Sequence, residues 1–92
     1  MAEIGDSCKI SQNVTIAAKD GKAPKIGNNV FISANSELIG GIEIGDNSFI
    51  GALSLVNKSF PANSVIVGNP ARLLRERDKE ELDQYIKWRD HK

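Results

Sequence analysis

An aliphatic residue recurs every six positions along this chain: Ile4, Ile10 and Ile16, then, after an interruption, Ile26, Ile32, Leu38, Ile44, Ile50 and Val56. A helix returns an apolar residue at a period of 3.6 and a half-buried strand at a period of 2, so neither holds this frame. A short fixed repeat is what a solenoid of short strands produces. In the unit Ile44-Gly45-Asp46-Asn47-Ser48-Phe49, Ile44 points inward, Asp46 and Asn47 turn the corner, and Ser48 points inward again. The fourth column reads Ser7, Asn13, Asn29, Asn35, Gly41, Asn47, Leu53 and Ser59. Asn and Gly tolerate the left-handed backbone of a tight turn, which explains the column; Leu53 breaks it. The fifth column, with Cys8, Val30, Ser36 and Ser48 among its members, is small or branched, as a crowded corner interior demands. Three units close a triangle, so Ile4, Ile26 and Ile44 should stack on one face and Ile10, Ile32 and Ile50 on the second. Ile16, Leu38 and Val56 should line the third. An antiparallel sandwich would vary its strand lengths and slip the phase; the pattern reads as a parallel β-helix of about three coils.

Between Ile16 and Ile26 the spacing is ten residues rather than six. The inserted loop, 17–25, is polar and carries the turn-forming pair Asp20-Gly21. Such a loop protrudes from a corner and is where this kind of coil can build a site, since the flat faces are occupied by strands. After Val56 the repeat dissolves into a turn, Val65-Ile66-Val67 reads as a final strand, and Gly68-Asn69-Pro70 as a second turn. The expected organisation is a β-helix over 4–67, a turn and connector over 68–77, and a C-terminal α-helix over 78–91. That helix opens on a capping box of Asp78 and Glu81 and carries Leu82, Tyr85, Ile86 and Trp88 as its apolar stripe.

Ile-Gly-Asp-Asn-Ser-Phe-Ile-Gly-Ala (44–52) and Ser-Val-Ile-Val-Gly-Asn-Pro-Ala-Arg (64–72) resemble the hexapeptide-repeat acyltransferases, above all the serine-acetyltransferase-like and polysaccharide O-acetyltransferases. The resemblance covers residues 4 to about 75. It implies an all-β, left-handed parallel β-helix, a homotrimer with sites between subunits, and transfer of acetyl from acetyl-CoA to a hydroxyl of a small molecule or saccharide. It also implies a cofactor groove in which Ser33, Ala34, Gly51 and Ala52 let a pantetheine arm approach the backbone. Lys58 and Arg72 stand at positions that would meet the phosphates, with Arg75 a weaker match. Leu53 stands where the resemblance implies a small residue, and it narrows that groove. In serine-acetyltransferase-like members the loop ends in a His-Pro pair whose His is catalytic. Here the position reads Ala23-Pro24, so Ala23 occupies the place of the base.

Acyl transfer needs a group to take the acceptor's proton, ordinarily a His. The single His of the chain, His91, lies one residue from its end and reads as a solvated tail residue. Among the carboxylates Asp20, in the loop, is the one that turn chemistry explains least completely. The expectation is an O-acyltransferase relative that is truncated or inactive, and the alternative is a non-catalytic trimeric β-helix that serves as an assembly or CoA-binding module. One His cannot supply the three zinc ligands of a γ-class carbonic anhydrase, and no other metal site is expected. Thr15 alone excludes the threonine ranks of an ice-binding β-helix. With 12 basic and 12 acidic residues interspersed, no nucleic-acid or membrane footprint is expected. No run spans a bilayer, the N-terminus does not read as a signal peptide, and Cys8 reads as a small core residue of a cytoplasmic protein. At 92 residues a single open-ended coil stack is marginal alone, which again points to association.

Overall fold

The structure, a computed structural model, describes residues 2–78. The six-residue frame places nine strands of two or three residues: β1 (Glu3–Ile4), β2 (Lys9–Ile10), β3 (Thr15–Ala17), β4 (Lys25–Ile26), β5 (Phe31–Ile32), β6 (Glu37–Ile39), β7 (Glu43–Ile44), β8 (Phe49–Ile50) and β9 (Leu55–Val56). Strands β1 to β6 each pair in parallel with the strand three units on. The stacked partners are Ile4, Ile26 and Ile44 on the first face, Ile10, Ile32 and Ile50 on the second, and Ile16, Leu38 and Val56 on the third. This is the parallel β-helix expected from the period, and its faces carry the expected residues.

Stacking like on like fills the interior without gaps along the axis. Ile32 and Ile50 are completely buried, whereas Ile4 and Ile10, in the first coil, remain 47% and 43% exposed. Where hydroxyls replace aliphatics in the fifth column, they are paired inside. Ser48 Oγ donates to Gly45 O (2.9 Å) and Ser54 Oγ to Gly51 O (2.7 Å), while Ser64 Oγ donates to Pro61 O (2.6 Å). Buried polar groups satisfied in this way add little penalty to the core.

The repeat does not dissolve after Val56. The corner that follows is two residues short, so Phe60 rather than residue 62 takes the first-face position, forming a parallel bridge to Ile44. From there the spacing is again six, and Ile66 pairs with Ile50 on the second face. A fourth coil is therefore begun. Its second-face strand, β10 (Ser64–Gly68), turns at Gly68 (φ 104) and is followed by β11 (Ala71–Glu76), which runs back antiparallel to it. Most of the stretch read as a connector is thus the outer strand of a five-stranded sheet, in the order β11-β10-β8-β5-β2. The end of β11 is pinned across the coil by Arg77, whose N–H donates to Asn63 O (2.7 Å) and whose Nη1 donates to Asn47 O (3.0 Å). The helix expected over 78–91, with Trp88 and His91, lies outside the described residues. Among the described residues no helix is long and apolar enough to cross a membrane.

The position of each isoleucine in the stack sets its mutational cost. Ile50→Ala should destabilise the fold by about 2–5 kcal/mol, and Ile4→Ala by roughly 1 kcal/mol, because Ile4 has less burial to lose. Urea unfolding of the two variants reads the difference, and equal losses would contradict a stack that is open at its first coil.

Candidate functional site

The triangular coil has three edges, and the backbone turns them in two ways. At the first edge (5–8, 27–30, 45–48, 61–64) and the second (11–14, 33–36, 51–54) the fourth-column residue takes a left-handed backbone, with φ near 60° at Asn29, Asn47, Asn13, Asn35 and also Leu53. The third edge holds the inserted loop, a tight turn at Gly40 (φ 90) and the shortened corner at 57–59.

The first two edges share a backbone but not a hydrogen-bond economy. At the first edge the coils are sewn together by side chains. Asp6 N–H donates to Asn28 Oδ1 (2.8 Å), and Asn28 N–H donates to Asp46 Oδ1 (2.7 Å). Beside them Asn29 Nδ2 donates to Asn47 Oδ1 (3.2 Å), and Asn47 Nδ2 to Asn63 Oδ1 (3.3 Å). At the second edge the third-column residues are Gln12, Ala34 and Ala52. Alanine offers no acceptor to the coil before it, so among the described residues the N–H groups of Gln12 and Ala34 have no hydrogen-bond partner; that of Ala52 has none either, as is the case for Asp46 at the first edge. The second edge therefore presents unpaired donors on successive coils, a rise of about 4.8 Å apart. A backbone donor left open to solvent is a contact that a ligand can take up.

Four of the residues singled out in the sequence, Ser33, Ala34, Gly51 and Ala52, lie together on this edge. Gly51 has a local reason: a Cβ there would fall 2.8 Å from Val67 Cγ1, so any other residue would have to displace the Val67 side chain. Arg72 stands across the β10–β11 hairpin from that same Val67, which brings its exposed cation to the continuation of the edge. Lys58 does not join them. It lies on the third edge, its Nζ 5.5 Å from the centre of the Phe60 ring.

The inserted loop is a two-residue β-hairpin on the third edge. Lys19 and Lys22 exchange both backbone hydrogen bonds (2.8 and 3.0 Å) around Asp20 and Gly21, each with positive φ, the geometry that Asp-Gly favours. Asp20 is exposed at the tip and borders a groove of about 590 Å³ that runs to Ile39, Gly40, Leu55 and Asn57. Ala23 lies on the other side of the hairpin, in a smaller cavity of about 320 Å³ with Glu3, Lys25 and Glu43. Asp20 and Ala23 are thus separated from the open donors of the second edge by the whole third face. One chain does not bring the two halves together. The donors themselves went unnamed in the sequence reading. Separating the third column edge by edge, into Asp6, Asn28, Asp46 and Gln12, Ala34, Ala52, carries their signal.

Comparison with known proteins finds the same repeat. The family model described as bacterial transferase hexapeptide (six repeats) matches residues 23–58. A galactoside O-acetyltransferase of Escherichia coli K12 is 38% identical over 98 residues, covering 91% of this chain and 48% of the relative. The solved structure of a serine acetyltransferase from Brucella abortus strain S19 superposes with a TM-score of 0.81 at 37% identity, over 84% of this chain and 32% of that one. A serine acetyltransferase from the same strain, in complex with coenzyme A, superposes with a TM-score of 0.69 at 27% identity, over 84% of this chain and 40% of that one. The chain spans about half the length of the galactoside O-acetyltransferase, and less of the serine acetyltransferases.

The contrast between the two edges is directly testable. Ala52→Asp places at the second edge the acceptor that Asp46 supplies to Asn28 at the first. It should take up the Ala34 N–H, add about 1 kcal/mol and raise the melting temperature by roughly 4–8 °C. A variant that melts at or below the parent would show that the Ala34 donor is not open to such a partner.

Proposed function

The chain belongs to the bacterial transferases built on hexapeptide repeats, and on that premise we propose that it is an acetyl-CoA-dependent O-acyltransferase whose donor site is its second edge. The observation that carries the reading is the pair of unpaired N–H groups on Ala34 and Ala52, on successive coils and each preceded by a small residue, Ser33 or Gly51. A pantetheine arm alternates amide carbonyls with short apolar links, and donors one coil apart suit it. Ser33 and Gly51 keep the approach clear, and Arg72 meets the phosphate charge at the end of the groove. The coenzyme A complex of the Brucella relative supports the choice of donor. When bound, the thioester supplies an activated acetyl group; the acceptor is a small molecule or saccharide bearing a hydroxyl, as the names of the relatives indicate.

The separation of the two edges supports reading the site as an intersubunit one. In a homotrimer the hairpin of one copy stands against the second edge of the next, which joins the loop and Lys58 to the donors that a single chain keeps apart. There the acceptor's O–H proton must be taken as its oxygen bonds to the acetyl carbon and the thiol leaves. Ala23 has no group for this, and Asp20 is the one carboxylate on the hairpin. A second reading, a non-catalytic trimer that binds coenzyme A, is favoured by the methyl group at Ala23 alone.

Native mass and a thermal shift on adding acetyl-CoA test the donor site and the assembly together. A trimer stabilised by acetyl-CoA, and an Ala52→Asp variant that loses the stabilisation, are expected. A monomer without a shift would sink both. Thiol release with serine or galactosides as acceptors then separates enzyme from module. If Asp20 is the base, Asp20→Asn should lower turnover at least about 100-fold. If neither the parent nor Asp20→Asn turns over but Ala23→His does, the module reading holds for the parent chain.

A further inference from the structure

Leu53 combines two unfavourable features that nothing else in the fold offsets. Its backbone sits in the left-handed region (φ 62), where the other positions of its kind are Asn or Ser, and its side chain is 71% exposed. A side chain without a short polar group is strained there, and an exposed leucine gains nothing from the core. Strain that no packing explains is a pointer to a contact outside the chain.

Its surroundings say which contact. The Leu53 N–H donates to Ala34 O (3.1 Å), which fixes the residue immediately after the open N–H of Ala52. At the first edge the equivalent position, Asn47, is tied into an amide ladder and half-buried. At the second edge Leu53 interrupts any such ladder, and among the described residues the Asn35 side chain above it has no hydrogen-bond partner. The edge thus sets an apolar side chain beside a column of donors.

We propose that Leu53 is the apolar contact of the donor site, packing on the methyl-bearing, apolar stretch of a pantetheine arm whose amides are held at Ala34 and Ala52. This rests on the donor reading given above and assigns to it a residue that determines affinity for the arm rather than for the nucleotide. The strain at φ 62 is then the cost of presenting a leucine where asparagine would be easier.

Two variants separate side chain from backbone. Leu53→Ala removes the side chain and keeps the strained conformation, whereas Leu53→Asn removes the side chain and relieves the strain. Both should weaken binding of coenzyme A and of pantetheine about tenfold by calorimetry, and leave binding of adenosine 3′,5′-bisphosphate unchanged. Leu53→Asn should also melt roughly 4–8 °C higher than the parent, and Leu53→Ala no higher. A parent chain that does not bind coenzyme A overturns the donor reading and this one with it. A parent that binds, with variants that bind pantetheine equally well, overturns the role of Leu53 alone. A change of native mass in either variant also overturns it, since Leu53 would then serve contact between copies. So does a Leu53→Asn variant that melts no higher than the parent.

Discussion

Everything in this molecule depends on coils hydrogen-bonded to coils. No strand of the first three turns exceeds three residues, which is too short to persist alone. Each is held by N–H···O bonds of 2.8–3.1 Å to the coil above or below, such as Lys25 N–H to Ile42 O and Phe31 N–H to Ser48 O. Because the bonding is between equivalent positions, side chains must stack on their own kind, and the aliphatic columns follow. The same bonding turns a corner residue into a repeating column, so whatever a corner exposes is exposed again one coil later.

That multiplication separates the two kinds of edge. Where Asn and Asp fill the third and fourth columns, their oxygens take up the N–H groups of Asp6 and Asn28, and amide side chains tie one coil to the next. Where alanine fills the third column the donors stay open, in line and regularly spaced. The proposed binding strip thus arises by removing side-chain atoms rather than by adding them. Its ligand is selected by the rise per coil and by what can lie flat along an edge. The hairpin obeys a different logic: it is inserted at another edge, and in the proposed trimer a neighbouring copy would close the distance.

The architecture was legible in the sequence because the inward columns are nearly uniform: Ile26, Ile32 and Leu38 announce the frame, and the ten-residue gap after Ile16 announces the loop. The start of the fourth coil was hidden by a two-residue cut between Val56 and Phe60. A fixed frame sees there only a lost phase, although Phe60 and Ile66 sit as inward residues should. Strand β11 was hidden for a different reason. Arg72-Leu73-Leu74-Arg75 has no alternation, and its pairing with β10 comes from the turn at Gly68 rather than from its own pattern. At the site, small residues on the second edge were visible as types. Their consequence, donors without partners, required knowing which coil stands over which. Leu53 was visible as a break in a column of turn residues, but that it keeps the left-handed turn is a property of the backbone alone.

The half-exposed Ile4 and Ile10 carry a consequence for motion. In a stack of nearest-neighbour coils local opening is easiest where the least apolar surface is buried, and Ile4 and Ile10 bury far less than Ile26, Ile32, Ile44 and Ile50. The hairpin of Lys19 to Lys22 leaves from β3 in that first coil and re-enters at β4 in the second. One of its two roots therefore stands in the least buried of the three coils, while Ala34 and Ala52 stand on the coils whose inward isoleucines are buried. In the proposed trimer an arm rooted in the less buried coil would face a strip carried by the more buried ones, which suits entry and exit of a long ligand without disturbance of the coils beneath it.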